Sequence, residues 1–344
     1  MRVAIATVQV PFVRGGAEFL TEGLLAALRE HGVEAELVGL PFRWHPPERL
    51  LDHVVAARLW RLEQVDRVIG MKFPAYLVPH PDKVLWLMHQ HRAAYDLWGD
   101  PAGGLPDTTQ GRAVRDAVRR ADDAWLPEAR RVHTLSPVVS DRLQRFNGIA
   151  STPLLPPLPN PGAFRSGPYG DYVFAPSRLS SAKRQGLLIE AMRHVRSGAR
   201  LVLAGAAATA AELEALRVAV RRYGLGDRVT ILGHWIPEHE KLELLAGALA
   251  VAFVPRDEDY GYVTLEAAAS ARATITCTDS GGPALLVRDG ETGLVRPPQP
   301  RALADAIDAL MSDRREAARL GANARDQLAA LDLRWDRVVE ELLR

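Results

Sequence analysis

Short apolar runs alternate with amphipathic stretches along the whole chain. In the first half the runs fall at 3–6, 33–38, 66–72, 83–88 and 132–136, and in the second at 171–175, 200–205, 228–236, 251–254 and 273–277. Each is too short for a helix, rich in Val, Ile and Leu, and bounded by Gly, Pro or charged residues. That pattern reads as strands covered on both faces, as in parallel sheets. Between them lie helical periodicities. The first, 17–31, carries Phe19, Leu20, Leu24, Leu25 and Leu28 on one stripe and ends at Gly32. The segment 112–123 is expected to turn Ala113, Val114, Ala117 and Val118 inward. Ser136 followed by Pro137 marks a capped helix start. Further helices are expected at 187–192, at 210–223 closed by Gly224, at 240–250, and in an Ala-rich segment capped by Thr264 or its neighbours. The last helix starts near Trp335. This alternation predicts an α/β chain of two Rossmann-like doubly wound domains.

The stretch 251–293 concentrates the candidate chemistry. A strand at 251–254 stops at Pro255 and is followed by the acidic loop Asp257-Glu258-Asp259-Tyr260-Gly261, then the Ala-rich helix with Glu266. A second strand, 273–277, runs into Asp279-Ser280-Gly281-Gly282-Pro283. Glu258 and Glu266 stand eight positions apart, one in the loop and one in the opening turns of the helix. Glu266 lies between Leu265 and a run of alanines, which is too apolar a setting for a solvated helix face. Such strand ends, dressed with polar loops, are where open α/β sheets hold ligands.

A Pro-rich stretch, 151–169, separates the two halves, since proline restricts the chain and removes donors. The expected domains are 1–155, a linker at 156–170, 171–328, and a terminal helix at 329–344. Composition adds exclusions. With 344 residues, 47% hydrophobic, 25% charged and a net charge of +1, the chain is ordinary in globular terms and carries no field suited to nucleic acid. Its one cysteine, Cys277, excludes a disulfide framework. No apolar segment reaches the ~20 residues of a spanning helix, and the opening strand is unlike a signal peptide. A cytoplasmic protein is expected, with a peripheral contact at the inner membrane face left open.

Other candidates follow chain order. Gly15 and Gly16 precede the first helix and let a ligand approach its N-terminal amides. The loop lacks G-x-G-x-x-G, which disfavours an NAD-dependent oxidoreductase. His89 and His91 end the strand at 83–88, but without a third ligand they do not define a metal site. Arg178 and Lys183 share a loop just ahead of a helix, and cations beside helix-terminal amides suit a diphosphate. Gly205 ends its strand, and His234, Trp235 and Ile236 follow another.

The Glu-x7-Glu spacing in this loop-to-helix setting, with Arg178-x4-Lys183 before it, resembles the retaining GT-B glycosyltransferases of glycosyltransferase family 4, also called glycosyl transferases group 1. The resemblance runs from the Gly15-Gly16 loop to the last helix. It implies two Rossmann-like domains facing each other across a cleft. It implies transfer of a sugar from a UDP- or GDP-sugar to an acceptor hydroxyl on a glycan, lipid or small molecule, with retention and without metal or cofactor. By the same resemblance Arg178 and Lys183 hold the donor diphosphate, while Glu258 and His89 contact the sugar. Glu266 holds the ribose hydroxyls, since a carboxylate accepts two donors. Gly15 and Gly16 lie near the donor phosphate, Gly205 and the His234-Trp235-Ile236 segment near the base, and Tyr260, Gly261, Tyr262 and Val263 line the donor site. The chain departs from the pattern after Gly281-Gly282-Pro283, where many members have Glu and this one has Ala284. A non-catalytic nucleotide-sugar-binding partner, or a GT-B epimerase, remains the alternative. A pyridoxal-dependent phosphorylase would need a Schiff-base lysine, which nothing singles out.

Overall fold

The computed structural model describes residues 1–12, 15–100 and 104–344. Val13 and Arg14, in the loop ahead of the first helix, and 101–103, in the polar stretch ahead of 112, lie outside the described residues. The chain divides into two compact units, Met1–Pro159 together with Leu333–Arg344, and Asn160–Asp332.

In the first unit β1 (Arg2–Gln9), α1 (Gly16–Glu30), β2 (Glu34–Pro41), α2 (Arg49–Leu59), β3 (Arg67–Gly70), β4 (Lys83–Leu87), α3 (Thr109–Trp125), β5 (Arg131–Thr134), α4 (Pro137–Asn147) and β6 (Thr152–Pro153) follow in turn. The strands make a parallel sheet in the order β2-β1-β3-β4-β5-β6. Every residue of β3 and β4 is buried, as the apolar runs require. Ser136 caps α4 by accepting from the Val139 amide at 3.3 Å. α3 begins earlier than expected, because Thr108 accepts from the Gly111 amide at 3.0 Å. Its inward stripe is Val114, Val118, Ala121 and Asp122, so Ala113, one step round the helix, is exposed rather than packed.

The second unit repeats the plan with β7 (Tyr172–Pro176), α5 (Gln185–Met192), β8 (Arg200–Ala204), α6 (Ala210–Arg222), β9 (Val229–Leu232), α7 (Glu238–Gly247), β10 (Ala250–Ala252), α8 (Tyr262–Ala269), β11 (Thr274–Cys277), α9 (Gly282–Leu286), β12 (Gly293–Arg296), α10 (Pro300–Ser312) and α11 (Arg314–Ala330). The helix expected over 240–250 ends at Gly247, because Ala250 already pairs with Val173 of β7. The chain then returns to the first unit as α12 (Trp335–Leu343). There Val338, Val339 and Leu342 pack with Leu20 and Leu24 of α1, and the Trp335 ring meets Trp86 edge-on at 6.1 Å. Arg67 donates to the Leu342 carbonyl at 2.9 Å and pairs with Asp82 at 3.0 Å, fixing the end of α12 to β3. Among the described residues no helix is long and apolar enough to cross a membrane.

One buried acid sits in the first unit's core. Asp122 is wholly enclosed and accepts from the hydroxyls of Tyr76 at 2.9 Å and Tyr95 at 2.8 Å. Burial pushes its carboxyl up to about 7, against the two phenol hydrogen bonds and with help from Asp123. A folded value above the unfolded one, about 3.9, means that folding favours the proton. The contribution is fully present below about pH 4 and is lost as pH rises through about 7. Denaturant unfolding of the wild type and of Asp122→Asn from pH 5 to 9 is expected to show a steeper loss of stability in the wild type. Parallel curves would remove Asp122 as the cause.

Candidate functional site

The strand order of the second sheet, β12-β11-β10-β7-β8-β9, reverses direction between β7 and β10. β7 starts the unit and β8 and β9 extend to one side of it, whereas β10, β11 and β12 extend to the other. The loops after β7 and β10 therefore leave the sheet in diverging directions at a topological switch point, where doubly wound sheets open a crevice at their carboxyl ends. These are the loops that carry Arg178 with Lys183, and Glu258.

They are stitched together by backbone as well as by charge. The Arg256 amide donates to the Ala182 carbonyl at 3.0 Å. The Lys183 ammonium forms a short ion pair with Glu258 Oε2 and lies 5.4 Å from the centre of the Phe253 ring. Both members are mostly buried, with 18% and 24% of their side chains exposed. Arg178, by contrast, is exposed. Arg184, the next residue after Lys183, is the stronger clamp. Its guanidinium donates to the Val254 and Pro255 carbonyls at 2.7 Å each and forms a two-pronged pair with Asp279 at 2.7 Å. Arg184 foremost among the causes, the Asp279 carboxyl is held below the usual carboxylate range. Three loops, after β7, β10 and β11, are thus tied at one residue.

The loop after β11 also sets the acidic loop. The Asp257 amide donates to Asp279 O at 2.9 Å, the Glu258 amide to Ser280 O at 3.0 Å, and the Gly282 amide to Glu258 O at 2.8 Å. This approach requires glycine at 281, where φ is +67° and a Cβ would lie 2.4 Å from the Glu258 carbonyl oxygen. The Gly281-Gly282 pair therefore seats Glu258.

α8 begins at Tyr262, two residues before Thr264, because Gly261 takes a left-handed φ of +93° and supplies the turn into the helix without a side-chain cap. Thr264 is not the cap. Its hydroxyl is buried inside the first turn without a partner. Glu266 lies one turn further on and is 13% exposed. It is not free for two hydroxyls, since Lys241 Nζ of α7 stands 2.9 Å from Glu266 Oε1 and 3.1 Å from Glu238 Oε2. Burial pulls the Lys241 ammonium down, but the two carboxylates outweigh it and the net direction is up. The Tyr262 phenol, raised by burial and then by Glu266, stands without a hydrogen-bond partner. Tyr260 is buried and meets the Tyr262 ring edge-on at 5.2 Å.

The second unit's remaining candidates are scattered over it. Gly205 ends β8 against the Ser177 backbone. His234 and Trp235 are exposed beyond β9, Trp235 by 60%. Ile236 turns instead into the core with Phe174, Ala204 and Leu245, and Val263 packs on the same cluster, so of the two neighbours only Trp235 presents its ring to solvent. In the first unit, Gly15 caps α1 in extended conformation with no capping side chain, and Glu18 in the first turn already meets part of that helix end's preference for negative charge. His89 follows β4 and its Nδ1 lies 2.5 Å from the Gln90 carbonyl, while burial foremost, then His89, lowers His91 to about 4. Among the described residues no three His, Cys, Asp or Glu side chains converge as a metal site.

Sequence reasoning did not find Lys241, Arg184 or Asp279. Lys241 sits in Glu-His-Glu-Lys, which reads as a solvated helix start. Arg184 adjoins Lys183, but nothing local tells a structural clamp from a ligand-binding cation.

This architecture of two six-stranded parallel sheets is the GT-B fold, and residues 167–327 match the family described as Glycosyl transferases group 1. The chain is 28% identical over 260 residues to D-inositol 3-phosphate glycosyltransferase of Xylanimonas cellulosilytica, a match covering 70% of this chain and 60% of that relative's length. Sucrose-phosphate synthase from Thermosynechococcus elongatus superposes with a TM-score of 0.79 at 20% identity, over 99% of this chain and 97% of that one. HepE from Anabaena, in complex with UDP-glucose, gives a TM-score of 0.76 at 17% identity over 100% and 98% of the two chains. At these identities the solved structures speak for the fold.

Proposed function

We propose that the protein is a retaining glycosyltransferase that moves a sugar from a nucleoside diphosphate donor to an acceptor hydroxyl, without a metal ion. The observation that carries this reading is the Lys183–Glu258 ion pair across the β7/β10 switch point. The two residues lie far apart in sequence and belong to the two loops between which such a sheet takes a ligand. The group 1 match over the same unit, and the UDP-glucose complex of HepE, support a nucleotide-sugar as that ligand.

In this reading the difficult event is departure of the diphosphate as positive charge develops on the sugar. Cations fixed before the reaction stabilise that departing charge without reorganising. Lys183 is held in place by Glu258 and turns to the phosphates when the donor binds. Arg178, exposed on the same loop, supplies the second cation. Glu258, released from Lys183, takes up sugar hydroxyls, and Glu266 takes up the ribose.

The first test is calorimetry of the purified protein with UDP, GDP, ADP and dTDP in EDTA. One nucleotide is expected to bind, and Glu266→Ala to weaken it about tenfold, the loss of one hydrogen bond to a charged group. Binding that appears only when a divalent ion replaces EDTA would overturn metal independence. Binding of none would favour a non-catalytic role.

A further inference from the structure

Glu266 does not stand alone. It projects from α8, which follows β10, and Lys241 projects from α7, which precedes the same strand. Their contact at 2.9 Å joins the two helices that flank β10, and both side chains are largely withdrawn from water, at 22% and 13% exposure. A carboxylate in such a place is costly unless it is paired. Lys241 Nζ has three donors, of which Glu266 Oε1 and Glu238 Oε2 use two. Tyr262 stands one helical turn before Glu266 on α8, and its buried hydroxyl has no hydrogen-bond partner.

We infer that Lys241 is a positioning residue for nucleoside binding: it fixes one carboxylate oxygen of Glu266, so that the other is turned to the ribose. The inference rests on the donor reading given above and deepens it at one subsite. It also replaces the simpler picture in which both oxygens of Glu266 accept ribose hydroxyls. Glu238 is the lysine's second anchor, and it keeps Lys241 from following Glu266 into the ligand.

A methionine at 241 keeps the length and apolar stem of lysine but removes the donors. The test is calorimetry of the wild type, Lys241→Met and Lys241→Arg with the nucleoside diphosphate the wild type binds and with its 2′,3′-dideoxy analogue, each variant's melting temperature being recorded. Lys241→Met is expected to weaken the ribonucleotide by about fivefold to tenfold, up to the effect of Glu266→Ala, and the dideoxy analogue less than twofold, because the lysine acts only through the ribose contact. Lys241→Arg is expected to restore ribonucleotide affinity to within threefold. Equal weakening of both ligands, or none, would overturn the positioning role while leaving the donor reading intact. A wild type that binds none of the four nucleotides would instead remove the donor reading, and this inference with it.

Discussion

Lys183→Ala is expected to lower kcat by about 10²–10³-fold, the cost of removing one preorganised donor from a site of developing negative charge. Stability should fall far less than activity. The pair with Glu258 keeps only 18% and 24% of its side chains exposed, so its loss is expected to cost about 1–2 kcal/mol, between an exposed pair and a fully buried one. The measurement is nucleoside diphosphate release from the donor, set beside a melting curve of the same preparation. A parallel fall in melting temperature and activity would assign Lys183 to structure. Glu258→Gln sharpens the result, because it leaves the Lys183 ammonium in place. It is expected to raise donor KM more than it lowers kcat if Glu258 orients the sugar, since binding common to ground and transition states appears in KM.

The largest loss of stability is expected from a residue remote from that chemistry. Arg272, between α8 and β11, is fully buried. Its guanidinium donates to the Leu245 carbonyl at 3.3 Å, to Gly167 O at 2.5 Å and to Ala246 O, and it stacks 3.8 Å from the centre of the Tyr169 ring. Tyr169 in turn donates to Ala271 O at 2.8 Å. One side chain thereby fastens both the end of α7 and the Pro-rich segment at the start of the second unit. Arg272→Ala strips donors from three carbonyls and opens a cavity, for about 3–5 kcal/mol. For a unit of this size that is a fall of about 10 °C in melting temperature. Arg272→Lys should recover less than half, since an ammonium has neither the fork nor the flat face that stacks on Tyr169. A loss below about 1 kcal/mol for Arg272→Ala, the scale of an exposed pair, would show that the carbonyls find other donors.

Much of the fold was legible because its signals are local. Apolar runs marked the strands, Gly32 and Gly224 closed helices, and Ser136-Pro137 opened one. Local signals also misled where two neighbours competed for one role. Thr264 is a better capping residue than Gly261 by chemistry, but only glycine takes the left-handed turn required there. Trp235 and Ile236 stand side by side in one candidate segment, yet alternation along an extended segment sends Ile236 to the core and Trp235 to solvent.

The sequence by itself determined two parallel α/β units and the short set of polar residues at their strand ends, because burial on both faces and helix punctuation are written in neighbouring positions. The tertiary structure decided who meets whom. Lys183 finds Glu258, Arg184 finds Asp279, and Lys241 takes half of Glu266, all through the reversal of strand order between β7 and β10 or the helices beside β10. Asp122 and Arg272 were invisible for the same reason. A charged letter in a helix or before a strand looks solvated until the sheet's crossovers fold other elements over it, and the partners that make its burial tolerable come from distant segments of the chain.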